Sequence, residues 1–333
     1  LRMPVVSYAI PALVAIGQAR FYHRPPRNPL VRWLRRLAVP RTLAILERMQ
    51  PASGGFLEAT PLTAFVVMSL AASGGSAHPV TRRGVDFLVG SVRGDGSWPI
   101  DTNLATWSTT LATCALAASG EDVSGLVSLD WLMACQHRTQ HPMTGTAGGG
   151  WGWTDLSGAV PDVDDTSGAL LALAALRKNA PSDRSRKIDA AAVAGLRWLL
   201  ALQNADGGWP TFCRGWGTMP FDRSGEDLTA HAVRALHAWT HDLVQHGLGN
   251  RARRAIGRGL QYLERRQRQD GSWVPLWFGN QHSPGEENPV YGTARVLLAY
   301  RDLGQIRSAP AQRGMEWLAA QAGPDGGWGS PRD

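Results

Sequence analysis

The sequence predicts an all-α fold: an α/α toroid of the α6-α6 barrel type, built from helical-hairpin repeats and incomplete at the C-terminus. Three observations predict it. A glutamine–tryptophan motif recurs along the chain, apolar segments of low charge alternate with the motifs, and 14 Trp stand against 5 Tyr and 7 Phe. One such unit cannot bury its apolar face alone, so stacked neighbours supply the core.

The chain opens with an apolar block before residue 40 that does not read as a full hairpin and carries no signal-peptide cleavage site. A loose first copy of the motif is Leu46 to Gln50 with Gly54-Gly55-Phe56. Arg83 to Leu88 with Asp95-Gly96-Ser97-Trp98 follows, then a second loose copy, Trp131-Leu132, Gln136 and Gly149-Gly150-Trp151. Three close copies complete the series. They are Gly195 to Leu199 with Gln203 and Asp206-Gly207-Gly208-Trp209, Gly259 to Leu263 with Gln267 and Asp270-Gly271-Ser272-Trp273, and Gly314 to Leu318 with Gln321 and Asp325-Gly326-Gly327-Trp328.

In each copy an amphipathic helix ends at a glycine turn, where a glutamine can bond the free backbone groups and a tryptophan packs back on the hairpin. Trp98, Trp151, Trp209, Trp273 and Trp328 are therefore assigned to packing. Second helices are expected at 62–73, 104–119, 165–177, 227–240 and 291–301, rich in small apolar residues such as those from Ala169 to Leu176. They read as an inner layer with the charged repeat helices outside. The sixth outer helix has no inner partner before Asp333, so the sequence reads as part of a longer molecule, expected to self-associate and to be inactive alone.

Composition narrows the class. With 333 residues, 44% apolar and 18% charged, the chain is neither a disordered tail nor a coiled coil. Cys114, Cys135 and Cys213 are too few and too scattered for a disulfide scaffold. The charge-free stretches 3–19, 59–81 and 102–120 each contain proline, glycine or several Ser/Thr, and read as buried helices rather than spans. The net charge of +7 is local. One basic cluster runs from Arg20 to Arg41, mixed with Trp33, Leu34 and Leu37, and a second from Arg251 to Arg268. A solvated face, a membrane surface and nucleic acid are the readings open for them; no nucleic-acid motif accompanies either.

The chemistry is expected at the starts of inner helices. Pro161-Asp162-Val163-Asp164-Asp165-Thr166 puts three carboxylates within four positions. Capping explains one of them. Crowding three is costly, and keeping one protonated relieves it, which makes a general acid; a Mg²⁺ site is the rival. Asp227 and His231 share a helical face at i, i+4, either as a pair serving the acid or as ordinary surface groups. Trp107, Trp153, Phe212, Trp216, Phe221, Trp277, Phe278 and Tyr291 lie in loops or at inner-helix starts, where aromatic faces stabilise cations without quenching them.

Together, the Asp-Val-Asp-Asp-Thr run at 162–166, the repeated Gln…Asp-Gly-(Gly/Ser)-Trp motifs and Asp227-Leu-Thr-Ala-His231 resemble the squalene–hopene cyclase family of class II triterpene cyclases, from about residue 5 to Trp328. The resemblance implies residues 1–90 as the end of an inserted α/α domain and 91–333 as most of a catalytic α/α barrel. It implies proton-initiated cyclisation of a linear polyprene such as squalene to a polycyclic, hopene-like triterpene. Asp164 would donate the proton, Asp162 and Asp165 would tune and reprotonate it, and His231, held by Asp227, would pair with Asp164. The eight aromatic residues would line the substrate cavity. No cofactor, metal or nucleic acid is implied. The implied partners are the apolar polyprene, the cytoplasmic side of a membrane bound peripherally, and a second copy in a homodimer. The loop from Asn280 to Asn288 is long for this family, and Val160 stands where an aromatic is common. Two other readings stay beside it: a zinc prenyltransferase-like barrel using Cys213, His231 and His241, and a noncatalytic helical-repeat interaction protein.

Overall fold

The computed structural model describes residues 7–329. They fold into helices with no sheet among the described residues; the only pairings of extended chain are three isolated bridges. The chain divides into two compact units. The first holds residues up to Ala105 with Gln140–Gly145 and Trp153–Val160; the second holds Thr106–Thr139, Thr146–Gly152 and everything from Pro161.

In the first unit the helices are α1 (Ile10–His23), α2 (Pro29–Met49), α3 (Thr60–Ala72) and α4 (Pro79–Gly90). The block before residue 40, not expected to make a hairpin, thus forms a helical pair. The largely apolar α1 packs on α3, with Ala12, Ala15, Leu46, Phe56, Val66, Leu70 and Val80 as the core. The Asn28 side chain starts α2 by accepting the Leu30 and Val31 N–H groups. Most of α2 is exposed, including Leu30, Trp33, Leu34 and Leu37 between its arginines. Arg32, Arg36 and Leu43 of α2 and Leu70 of α3 line a cavity of about 620 Å³.

The second unit contains most of α5 (Ala105–Ala118), then α6 (Ser128–Ala134), α7 (Val163–Arg177), α8 (Ser182–Leu202), α9 (Glu226–Ala238), the short α10 (Thr240–Gln245), α11 (Gly249–Arg266), α12 (Pro289–Asp302) and α13 (Ala309–Ala320). Helices α3, α5, α7, α9 and α12 stand where the five second helices were expected, each within three residues of its predicted bounds. In this unit α7 packs on α9 and α9 on α12, while α8 and α11 pack behind α7 and α9. Burial follows. Ten of the 15 residues of α7 and ten of the 13 of α9 are buried, because both helices have neighbours on opposite sides.

The motifs work as joints between successive outer helices. Gln203 Nε2 donates to Gly207 O in its own turn and to Ala255 O of α11, both at 2.8 Å; Gln267 does the same to Gly271 O and to Pro310 O of α13. Gln50 and Gln136 repeat the pattern with Val80 and Ala191. At Gly207 and Gly271 the backbone has positive φ, and a Cβ would sit 2.6 Å from the carbonyl of Arg258 or Arg313 in the next outer helix. Only glycine gives both the turn and the approach.

Each motif tryptophan donates its indole N–H to a carbonyl near the end of its own outer helix: Trp209 to Leu199, Trp273 to Leu263, Trp151 to Leu132. Its ring lies on the motif glycine of the following outer helix. A Cβ at Gly195, Gly259 or Gly314 would stand 2.8, 3.1 or 2.7 Å from the rings of Trp151, Trp209 or Trp273. Trp98 and Trp328 make the same indole bond, to Leu88 and Leu318, and are 53% and 52% exposed. Among the described residues of its own unit, neither has a following outer helix to cover it.

A further repeated element escaped the sequence reading. A threonine in the first turn of the inner helix accepts the backbone N–H of the motif aromatic: Thr63 from Phe56, Thr166 from Trp151, Thr229 from Trp209, Thr293 from Trp273. It ties the turn to the inner layer and so sets the height of each inner-helix start.

Candidate active site

Asp162 has extended backbone, and its Oδ1 accepts the Asp165 N–H at 2.8 Å; it is the N-cap of α7. Asp164 and Asp165 follow in the first turn, where the helix dipole favours negative charge. One turn beyond Asp164, Gly168 keeps the helix surface low. A Cβ there would stand 3.0 Å from Thr110 Oγ1 of α5 and 3.7 Å from the His231 ring of α9.

Across this surface His231 Nδ1 lies 2.5 Å from Asp164 Oδ1. Arg295 of α12, absent from the sequence expectations, completes the cluster. Its Nη2 is 3.2 Å from the same Oδ1 and 2.8 Å from His231 Nδ1. The Trp107 indole of α5 stands beside Asp164 and helps to hold it down. The side chains of His231, Arg295 and Asp164 are 5%, 13% and 15% exposed. Asp227, expected to hold His231, is bonded elsewhere: its Oδ1 accepts the Leu276 N–H at 3.1 Å and so anchors the loop that carries Trp277 and Phe278.

Crowding does not act on the carboxylate it was expected to act on. Burial pushes Asp162 and Asp227 up to about 7, and raises Asp165 well above the usual carboxylate range with help from Asp162. Asp165 Oδ1 and Asp227 Oδ2 are buried without a hydrogen-bond partner, as suits protonated acids short of neighbours. Burial also pushes Asp164 up, but His231, Arg295 and Trp107 act against it and lower this group. His231 is pushed down to about 4 by burial and Arg295, against the opposing pull of Asp164. A histidinium is therefore not the expected partner at neutral pH; Arg295 supplies the permanent charge.

The raised carboxyls make stability pH-dependent. Folded Asp227 keeps its proton up to about pH 7, whereas the unfolded chain releases it near pH 4. Between these values the unfolded state binds fewer protons, so stability falls as pH rises through the window. Asp227→Asn keeps an acceptor for Leu276 and carries no charge. It is expected to flatten part of that fall and to raise stability at pH 8 by on the order of 3 kcal/mol. Urea titrations at pH 4, 6 and 8 check this; parallel pH profiles in both proteins would refute it.

The aromatic residues separate into groups. Trp107 stacks on Phe278 with ring centres 6.4 Å apart, and Phe278 lies 4.8 Å from Tyr291. This row begins at the indole beside Asp164. Phe221 lies between Phe212 and Trp277, at 5.8 and 5.7 Å, and Trp277 Nε1 donates to Thr211 Oγ1 at 2.7 Å. The other two stand apart. Trp216 is 65% exposed, and Trp153 belongs to the first unit, where it meets Tyr8 edge-on.

Cys213 Sγ faces the Phe221 carbonyl, and among the described residues no group of His, Cys, Asp and Glu is arranged to hold a metal ion. The second basic cluster is occupied at home: Arg251, Arg258 and Arg265 donate to the carbonyls of Leu200, Asn204 and Asp206, while Arg266 and Arg268 pair with Glu226 and Glu287.

The squalene–hopene cyclase of Bradyrhizobium diazoefficiens is 28% identical over 89% of this chain and 46% of its own length. Drimenyl diphosphate synthase of Streptomyces showdoensis is 31% identical over 73% of the chain and 39% of its length. The chain thus spans about half or less of these relatives. The ent-copalyl diphosphate synthase from Streptomyces platensis superposes with a TM-score of 0.53 at 25% identity, over 75% of this chain and 41% of that one. Residues 104–333, which hold Asp164, His231, Arg295 and the stacked row, match the squalene–hopene cyclase C-terminal domain, and to that family the chain belongs.

Proposed function

We propose that this chain carries the acid half of a cyclase that protonates a linear polyprene such as squalene and closes it to a polycyclic, hopene-like triterpene, within a larger α/α toroid. The observation that supports it most is Asp164, bonded to His231 at the start of α7, with Trp107 beside it at the head of a row of stacked rings. In the reaction the Asp164 O–H bond breaks, and the π pair of a terminal alkene takes the proton to form a C–H bond. Positive charge then passes along the folded chain through successive ring closures. Trp107, Phe278 and Tyr291 offer π faces that stabilise cations without bonding to them. Holding the polyene prefolded supplies the orientation each closure needs. The expected helpers keep distinct parts: Asp162 and Asp165 as a protonated reserve behind Asp164, and Asp227 as anchor of the aromatic loop.

Squalene incubated in D₂O with the complete gene product is expected to give a cyclic product carrying one deuterium at the former alkene terminus. Cyclised product without label would refute protonation as the initiating step, and no product from any linear polyprene would favour the noncatalytic reading.

No helix among the described residues is long and apolar enough to cross a membrane. The exposed row Leu30, Trp33, Leu34 and Leu37, set among Arg32, Arg35 and Arg36, supports peripheral attachment to the cytoplasmic face of a membrane. Co-sedimentation with anionic vesicles that is unchanged by Trp33→Glu would count against it.

A further inference from the structure

Arg295 contacts two of the groups proposed to handle the proton, and its position is constrained. Its guanidinium carbon lies 5.8 Å from the centre of the Tyr291 ring, one turn earlier on α12, so a cation–π contact holds one face. From there Nη2 reaches both His231 Nδ1, at 2.8 Å, and Asp164 Oδ1, at 3.2 Å.

A guanidinium only donates, and an imidazole nitrogen at any moment either donates or accepts. Two placements of the proton between Asp164 and His231 follow. If Nδ1 carries it and donates to an Asp164 carboxylate, then Arg295 meets that N–H at 2.8 Å, donor against donor. If Nδ1 is bare, it accepts from Arg295, and the 2.5 Å contact to Oδ1 is made by a proton on the aspartate. Both donors then share one lone pair as a three-centre bond. The 3.2 Å contact from Arg295 survives in either case, since a protonated carboxyl oxygen still has a lone pair to offer. Only the second placement gives every short contact a permitted polarity.

Resting on the cyclase reading above, we propose that Arg295 is a positioning residue of the acid centre: by donating to His231 Nδ1 it keeps that nitrogen bare and holds the transferable proton on Asp164. Charge alone pulls the other way, because the same cation lowers Asp164. The shorter contact is the one to the imidazole, and it decides the placement. His231 stays neutral, pushed down by burial and by Arg295. The other charged groups around it are engaged. Arg234 on its own helix pairs with Asp302 of α12 at 2.7 Å, Asp227 binds Leu276 N, Arg266 of α11 pairs with Glu226, and Asp189 of α8 pairs with Arg177. Once the proton has left for the alkene, the Arg295 N–H near Oδ1 faces a carboxylate and stabilises it. One cation thus serves the acid before and after transfer.

The test is the ¹⁵N spectrum of histidine-labelled, substrate-free protein across about pH 5 to 8, the window in which a free imidazole titrates, with His231 assigned by its loss in His231→Asn. The expected result is a pyridine-type Nδ1 and a pyrrole-type Nε2 on His231, with no second proton gained in that range. In Arg295→Met the ring is expected to titrate roughly one unit higher or more, and Arg295→Lys, which restores a donor, to reverse the shift. A protonated Nδ1 in the unmodified protein overturns the proposal, and so does an unshifted titration in folded Arg295→Met. The first measurement does not involve Arg295→Met, so misfolding of that variant does not rescue the idea. It also needs no substrate: a chain that cyclises nothing but shows a bare Nδ1 refutes the cyclase reading and leaves the proton placement standing.

Discussion

Asp164→Asn is expected to reduce polyene cyclisation by about 10²–10⁴-fold or more, the range that a positioned proton donor contributes. The amide matches the acid in size and can still donate to His231 Nδ1, but it has no acidic proton to give an alkene. Its neighbours do not substitute for it. Asp162 is spent capping α7, Asp165 is buried behind it, and Asp227 is tied to Leu276. Product chromatography after squalene incubation measures the loss, and turnover within tenfold of the parent would remove Asp164 from the role. The same variant weighs its charge. If Asp164 is neutral in the folded protein, as Arg295 requires, the substitution changes stability little. If Asp164 is ionised, Arg295 is left buried without its counter-charge, and a loss of about 3–5 kcal/mol follows. A melting curve beside the activity assay distinguishes the two.

Trp209→Ala is expected to cost about 3–5 kcal/mol, among the largest effects of any single change in the second unit. The ring is fully buried, its N–H satisfies Leu199 O at 2.8 Å, and it fills the space opened by Gly259 on the next outer helix. Truncation leaves a cavity and an unpaired carbonyl at the same joint. Trp328→Ala removes the same indole bond, to Leu318 O, from a ring that is half exposed. It is expected to cost about 1 kcal/mol or less, since little cavity forms. Equal losses in the two variants, measured by denaturant titration, would show that the hydrogen bond rather than ring burial carries the motif. Gly259→Ala approaches the same joint from the other side, with its new Cβ 2.6 Å from Val233 and 3.1 Å from the Trp209 ring. It should destabilise through overpacking.

The sequence by itself determined the helical class, the positions of the five second helices and the order of the motif joints. Each rests on local chemistry: a glycine that must turn, a glutamine one turn from it, and a low-charge run of helical length. The three aspartates were legible for the same reason, as an N-cap and first turn, and their nearness to His231 followed from both standing at inner-helix starts. Which carboxyl is held down was decided only in three dimensions. Crowding looks alike along the chain for Asp162, Asp164 and Asp165, but only Asp164 meets the cation. Arg295 lies 131 residues from Asp164 and 64 from His231, in a helix whose sequence pattern shows nothing but an ordinary charged position. Asp227 was misread as the holder of His231 because i, i+4 spacing is visible in sequence, whereas the Leu276 N–H that claims it is 49 residues away. Local geometry is written in neighbouring residues. The competition among distant donors for one acceptor arises only when packing desolvates them together, and there the tertiary structure decides.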